Sequence, residues 1–269
     1  MSTEPAAASA LLPTVAVHGV DFCAISETQC VRHILDQLDA GRGGWAVTAN
    51  LDHLRRLVKD DSYRRLCEPA TLMVADGMPV VWASHLKGTP LPQRVAGSSL
   101  IWTLTEAAAT RRRSVFLLGG EPGTANAAAE ALVRRCPGLA VAGTYCPPLG
   151  FDRDPDQIER LAAAVSAATP DIVYVALGSP KQERLIGDLR GRLPRAWWLG
   201  VGISFSYVCG HVRRAPAWMR HIGVEWLYRL VQEPRRLARR YLVDGCPFAV
   251  RLLYGAAVER FTGASRRGH

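Results

Sequence analysis

Asp171-Ile172-Val173-Tyr174-Val175-Ala176-Leu177, then Gly178-Ser179-Pro180, then Lys181-Gln182-Glu183-Arg184-Leu185-Ile186, is the stretch that decides the architecture. The first seven residues predict a strand, because Ile172–Leu177 is an apolar run too short for a helix and bounded by an acid and a glycine. Pro180 stands where a first helical turn tolerates a missing N–H, and Lys181–Arg190 has helical periodicity. The same alternation recurs on either side. Strands are expected at Trp45–Ala49, Thr71–Ala75, Ser114–Leu118, Ala140–Thr144 and Trp197–Val201. Helices are expected at Asp52–Lys59, Ser98–Arg112, Thr124–Arg135 and Pro155–Ala168. Strand–helix alternation predicts an α/β layer fold around a mainly parallel sheet, with ligands outside the carboxyl ends of the strands.

Composition bounds the rest. A chain of 269 residues, 48% hydrophobic, can bury one large core. Its seven cysteines are odd in number and never spaced as C-x-x-C, so they are expected reduced, as in cytoplasm, rather than bridged or holding zinc. Residues 1–16 carry Glu4 and no basic residue, lack the n-region of a signal peptide, and are expected to form a loose tail. The uncharged stretch Ala196–Gly210 falls short of the roughly 20 residues that span a bilayer, so membrane contact is expected to be peripheral. The charge is uneven: from His211 onward there are 12 arginines, no lysine and four acids, a net +8 out of +9 for the whole chain. Trp218, Trp226, Tyr228, Tyr241 and Phe248 interleave with those arginines, the pattern of a surface facing anionic lipid. A catalytic domain over 17–210, a basic helical appendage over 211–262 and a disordered end over 263–269 follow. Glu233-Pro234 is expected to break the helix of the appendage. Beyond it, Leu237 and Tyr241 form an apolar seam that lipid would cover, or a second subunit when no membrane is present.

Four loops after strands carry chemistry. Thr48 and Asn50 follow the Trp45 strand; a hydroxyl and an amide there can hold a sugar, although Asn50 can equally cap the next helix. Asp76, between Ala75 and Gly77, suits a general base at a strand end, with an N-cap as the plainer role. Gly119-Gly120 makes a strand-to-helix turn that lets phosphate or ribose approach backbone N–H groups, but the G-G-x-x-G spacing is not a dinucleotide fingerprint. Lys181 and Gln182 could reach a nucleotide or diphosphate, or simply begin a helix. Asp152-Arg153-Asp154-Pro155-Asp156 holds two Asp-x-Asp patterns, but acids directly before a helix cap it, so no metal and no cofactor are expected.

Thr48-Ala49-Asn50, Ala75-Asp76-Gly77, Arg94-Val95-Ala96-Gly97, Leu177 through Glu183, Arg213-Arg214-Ala215-Pro216 and Gly223-Val224-Glu225-Trp226 through Glu233-Pro234 together resemble the WecG/TagA/CpsF glycosyltransferase family. The resemblance runs from about Val17 to about Tyr241. It implies a Rossmann-like core and a C-terminal appendage that helps close the active site at the membrane. It also implies transfer of a sugar from a UDP-sugar to a lipid-diphosphate-linked saccharide on the cytoplasmic face, often N-acetylmannosamine, by an inverting reaction needing no divalent metal. Carried over, it makes Asp76 the general base, puts Thr48, Asn50 and Gln182 around the sugar, and puts Arg94 near the acceptor or diphosphate. It gives Arg229, Arg236 and Arg239 to the leaving diphosphate. Ser206 stands where many relatives have an acid, which puts more weight on Asp76.

The chemistry agrees with these residue types. Inverting transfer needs one base for the acceptor hydroxyl and positive charge for the departing diphosphate, which arginine recognises bidentately. Two other readings remain. An oxidoreductase lacks its fingerprint, and a nucleic-acid-binding module would not confine its charge to an aromatic-rich tail, so no nucleic-acid partner is expected.

Overall fold

The computed structural model describes residues 12–266, the side chains of His221 and of 263–266 excepted. Its strands are β1 (Thr14–Val17), β2 (Val20–Cys23), β3 (Gly44–Ala49), β4 (Leu72–Ala75), β5 (Ser114–Gly119), β6 (Ala140–Tyr145), β7 (Ile172–Ala176) and β8 (Trp197–Gly200). The helices of the α/β core are α1 (Glu27–Asp39), α2 (Leu51–Lys59), α3 (Asp61–Cys67), α4 (Met78–Lys87), α5 (Gly97–Thr110), α6 (Thr124–Arg135), α7 (Pro155–Ala168), α8 (Lys181–Leu189) and α9 (Ser204–Val208). The appendage adds α10 (Ala217–His221), α11 (Glu225–Gln232), α12 (Pro234–Ala238) and α13 (Cys246–Arg266).

Six strands form one sheet in the order β4-β3-β8-β7-β5-β6, with every pairing parallel. Alternate side chains feed two cores, as the period of a strand requires. On one face Trp45, Val47, Phe116, Val173, Val175 and Trp198 pack with α2, α3, α7 and α8. On the other, Ala46, Leu117, Ile172, Tyr174, Trp197 and Leu199 pack with α1, α5, α6 and α9. Trp45, Trp197 and Trp198 are almost wholly buried, and truncating any one of them to alanine would cost about 3–5 kcal/mol. The expected α/β fold is what forms: the helix predicted at Thr124–Arg135 and that at Pro155–Ala168 have those bounds.

The expected loose N-terminal tail is corrected from Thr14 onward, while residues 1–11 lie outside the described part. β1 pairs antiparallel with β2 through a turn at His18-Gly19, both with positive φ, the conformation that tight hairpins require. Val17 and Phe22 are buried, which holds the hairpin on the core. At the other end, α13 continues to Arg266, inside the segment expected to be disordered; 267–269 lie outside the described part.

The helix break at Glu233-Pro234 forms as expected, with α11 ending at Gln232 and α12 starting at Pro234. From there the chain stays helical, with a π-helical segment at Arg239–Gly245. Pro247 explains it: the ring would clash with the carbonyl four residues back, and widening the preceding turns removes the clash. Pro234–Thr262 is long and apolar enough to cross a membrane by length and composition. Its inner side is engaged by protein, because Phe248, Leu252 and Ala256 of α13 are buried in the core that also holds Val80, Val81 and Ala83 of α4.

Candidate active site

The carboxyl ends of β4, β3, β8 and β7 lie side by side, at the edge where parallel sheets carry their ligand cleft. Backbone bonds stitch them: Asp76 N–H donates to Ala49 O at 3.0 Å, Val95 N–H to Ala75 O at 2.8 Å, and Val201 N–H to Val175 O at 2.8 Å. These place Thr48, Asp76, the Arg94 loop and the segment after β8 side by side, although they are up to about 150 residues apart in sequence.

Asp76 leaves β4 facing the first turn of α5. Its Oδ2 accepts the Gly97 N–H at 3.4 Å, a bond to a positive helix end. Thr48 is buried beside it: its hydroxyl donates to Gly200 O at 3.5 Å, and a Cβ added to Gly97 would stand 3.0 Å from Thr48 Oγ1. Burial pushes the Asp76 carboxyl up to about 6. Arg94, the Gly97 amide and His53 pull it down, while Glu225 adds to the upward push. A carboxyl of that strength is ionised at neutral pH and basic enough to take a hydroxyl proton as the bond forms.

Arg94 does not stand free. Its Nη1 lies 3.1 Å from Glu225 Oε2 in α11, and Arg214 Nε lies 3.5 Å from the other Glu225 oxygen. Arg214 also donates to Ser98 O and Ser99 Oγ, each at 3.1 Å, on the first turn of α5. Two guanidiniums thus share one carboxylate beside Asp76. Arg214 and Glu225 lie within the family motifs, but their spacing in sequence suggests no role; the role appears once the appendage folds back on the Arg94 loop.

The other expected site residues divide. Asn50 Oδ1 caps α2, accepting from Asp52 N and His53 N at 3.0 and 3.2 Å, which leaves its NH2 for a ligand. Gln182 is buried at the start of α8, its amide held between Glu183 Oε1 and the Gly202 N–H. Lys181 is exposed and pairs with Asp152 at 3.0 Å. Asp154 caps α7 through Asp156 N and Gln157 N, so the Asp-x-Asp patterns serve helix capping and a surface ion pair. Among the described residues no group of three or more His, Cys, Asp or Glu is placed to hold a metal ion.

Gly119 and Gly120 have the positive φ expected of a sharp turn, but the Gly120 N–H is taken by Ala176 O at 2.7 Å. A Cβ on either would collide, at Gly119 with Leu177 and Ala176 and at Gly120 with Thr124. Close packing accounts for both glycines.

In the appendage, Arg229 is partly buried, and its charge is felt by Tyr207 of α9. Arg236 and Arg239 are exposed, and Arg236 pairs with Glu233. Arg240 reaches back to Asp52 at 3.0 Å, and Arg55 to Asp244 at 3.6 Å, so α2 holds the π-helical segment in place.

Two comparisons bear on this arrangement. The chain is 33% identical over 259 residues to an N-acetylglucosaminyldiphosphoundecaprenol N-acetyl-beta-D-mannosaminyltransferase of Bacillus spizizenii, covering 96% of this chain and 95% of that one. It is 29% identical over 232 residues to the protein of the same name from Bacillus subtilis, covering 85% and 87%. Residues 15–261 match the sequence model of the Glycosyl transferase WecG/TagA/CpsF family, a span that takes in all but the first residue of β1, the strand ends around Asp76 and nearly all of the appendage. With the Asp76 cleft and the arginines that close on it both inside that match, the chain belongs to the WecG/TagA/CpsF family of glycosyltransferases.

Proposed function

We propose that this chain transfers N-acetylmannosamine, or a closely related hexose, from its UDP-sugar to N-acetylglucosamine on a polyprenyl diphosphate, with inversion and without a divalent metal. The observation that carries the reading is Asp76: a carboxyl raised to about 6, at a strand end, beside Arg94 and Arg214. The names of the two relatives supply the acceptor and the sugar.

In this reading one Asp76 oxygen takes the proton of the acceptor hydroxyl. The hydroxyl oxygen forms its bond to the anomeric carbon from the face opposite UDP, and the electron pair of the breaking C–O bond leaves with the diphosphate. Arg94, Arg214 and Arg229 supply the positive charge that the departing group needs. Arg236 and Arg239 would have to turn inward to join them. The test is UDP release from a panel of UDP-sugars with a lipid-diphosphate N-acetylglucosamine acceptor, with and without chelator, followed by determination of the product's anomeric configuration. Release with UDP-N-acetylmannosamine, insensitive to chelator, and an inverted product are expected. No release with any donor, or a retained configuration, would refute the reading.

We further propose that the enzyme works as a peripheral protein on the cytoplasmic face of the membrane. Supporting this, Trp218, Val231, Val250, Tyr254 and Phe261 are all more than 60% exposed, beside the exposed arginines 235, 236 and 239. Each arginine held near anionic lipid contributes about 1 kcal/mol, and aromatic side chains favour the interface. The packing of α13 on α4 favours lying on the bilayer over crossing it.

A further inference from the structure

Next to Gln182 stands the most deeply buried pairing of a basic side chain with a carboxylate among the described residues. His53 leaves the first turn of α2 and Glu183 the first turn of α8, with 7% and 3% of their side-chain surfaces exposed. His53 Nε2 lies 3.3 Å from Glu183 Oε1. The same oxygen accepts the Gln182 Nε2–H at 2.8 Å, and at the other end of that amide Gln182 Oε1 accepts the Gly202 N–H at 3.2 Å. Burial pushes the Glu183 carboxyl up; the hydrogen bond and charge of His53 and the bond from Gln182 outweigh it and hold the group below the usual carboxylate range. Around the pair, Tyr63 and Cys67 of α3 are both pushed up by burial and then by the Glu183 charge, Cys67 to about 12, so both stay neutral. Asp52 and Asp76 are the other acids that feel the His53 charge.

A buried carboxylate is a costly way to begin a helix, since apolar side chains of equal volume avoid the desolvation. What the carboxylate adds is direction. It can only accept, so it forces the Gln182 amide to turn its nitrogen toward Glu183 and its oxygen toward Gly202. Each of those two atoms keeps one further bonding position, one N–H and one lone pair. Gly200 sharpens the constraint: a Cβ there would lie 2.5 Å from Gln182 Nε2, so the amide is pressed against the strand end whose carbonyl takes the Thr48 hydroxyl.

We propose that His53 and Glu183 are positioning residues that act through Gln182, fixing its carboxamide in the one orientation that meets the donor sugar. This rests on the glycosyl-transfer reading above. Glu183→Gln keeps the shape but offers an N–H as readily as an oxygen; His53→Leu removes the donor and His53→Gln restores one. Glu183→Gln and His53→Leu are each expected to raise the donor KM about tenfold with kcat within about threefold, and His53→Gln to recover most of the loss. In a Gln182→Ala background the same substitutions should change KM less than about twofold, because the group they orient is gone. Independent, additive effects overturn the proposal, and so does an unchanged KM. Should Glu183→Gln fail to fold, the two His53 variants carry the comparison.

Side-chain amide NMR provides a readout that needs no turnover. The Gln182 NH2 pair, assigned by its loss in Gln182→Ala, should be widely split and slow to exchange in the native protein, and collapse toward solvent values in Glu183→Gln and His53→Leu. An unchanged pair overturns the proposal. If the native enzyme releases no UDP with any donor, it is the glycosyl-transfer reading that fails, and the amide spectra alone then decide the orienting role.

Discussion

Replacing Asp76 with asparagine should stabilise the protein while abolishing turnover. The carboxyl rises from its ordinary 3.8 to about 6 on folding, so the fold disfavours its charged form. At roughly 1.4 kcal/mol per factor of ten the difference corresponds to about 3 kcal/mol. That is an upper bound, because Asp76 keeps part of its surface open to the cleft; about 1–2 kcal/mol is expected. The sign fixes the pH window. Below the unfolded value both states are protonated and the fold carries no penalty; the penalty grows as pH rises through the folded value and is complete above about 7. Asparagine mimics the protonated acid and keeps an oxygen to accept the Gly97 N–H, so it should remove that penalty. Thermal denaturation at pH 7.5 should show the variant melting higher, by about 2–8 °C at the usual 2–4 °C per kcal/mol. At pH 4 the two proteins should melt alike. A variant that melts lower at pH 7.5, or by the same increment at both pH values, would show that Asp76 is not the strained, ionised base inferred here. UDP release must vanish in the same variant.

Four other outcomes are expected. Activity measured as kcat/KM should fall below about pH 6 in the native enzyme, and Glu225→Gln should carry that limb to lower pH, since Glu225 adds to the upward push on Asp76; a limb moving upward would refute the assignment. Gly200→Ala should drive the Gln182 amide from its seat, costing about 1–3 kcal/mol of stability in urea denaturation and raising the donor KM, with native values on both counts counting against the packing described. Arg240→Ala should cut the bond to Asp52 and speed limited proteolysis within 234–262, whereas unchanged cleavage would mean that other contacts hold the appendage. Val250→Asp with Tyr254→Asp should weaken sedimentation with anionic liposomes by at least tenfold while leaving the melting temperature near native, because both side chains face outward; undiminished binding would move the membrane surface elsewhere.

The six-stranded sheet was legible because its strands are short apolar runs and its covering helices are amphipathic, the two periods that sequence displays best. α4 was missed for a physical reason. Val80, Val81 and Ala83 face the core while Trp82 and Leu86 are exposed, so the helix is apolar on several sides and shows little periodicity. The β1–β2 hairpin was missed because four-residue strands carry too little pattern; His18-Gly19 was the available signal. At the candidate site, Thr48 and Asp76 were visible as polar residues at strand ends and Arg94 only through the family motif; the sheet order brings the first two together, and the bond from Val95 N–H to Ala75 O brings the Arg94 loop to them. His53 and Glu183 were not visible, because 130 residues separate them and each alone looks like an ordinary first-turn residue. Gly119-Gly120 carries a packing reason that its spacing did not reveal: a sharp strand-to-helix turn in close packing uses glycine as readily as a phosphate site does.

The arginines of the appendage do two different jobs, and the division bears on how acid–base chemistry and closure are linked. Arg214 and Arg240 are spent on the core, at α5 and at Asp52, whereas 235, 236 and 239 face outward. The first pair settles where α11 lies, and α11 carries Glu225. That carboxylate neutralises part of the Arg94 charge that would otherwise hold Asp76 down as a weak base. Lifting the appendage would therefore remove Glu225, leave Arg94 bare beside Asp76, and lower the carboxyl toward ordinary values, besides opening the cleft to solvent. Docking raises the basicity of Asp76 and brings Arg214 beside Arg94 in the same step. In the proposed reaction the proton acceptor would thus be strongest when the cations for the leaving group are gathered, and an enzyme with its appendage lifted would combine a weak base with an unsupported leaving group and transfer little sugar to water.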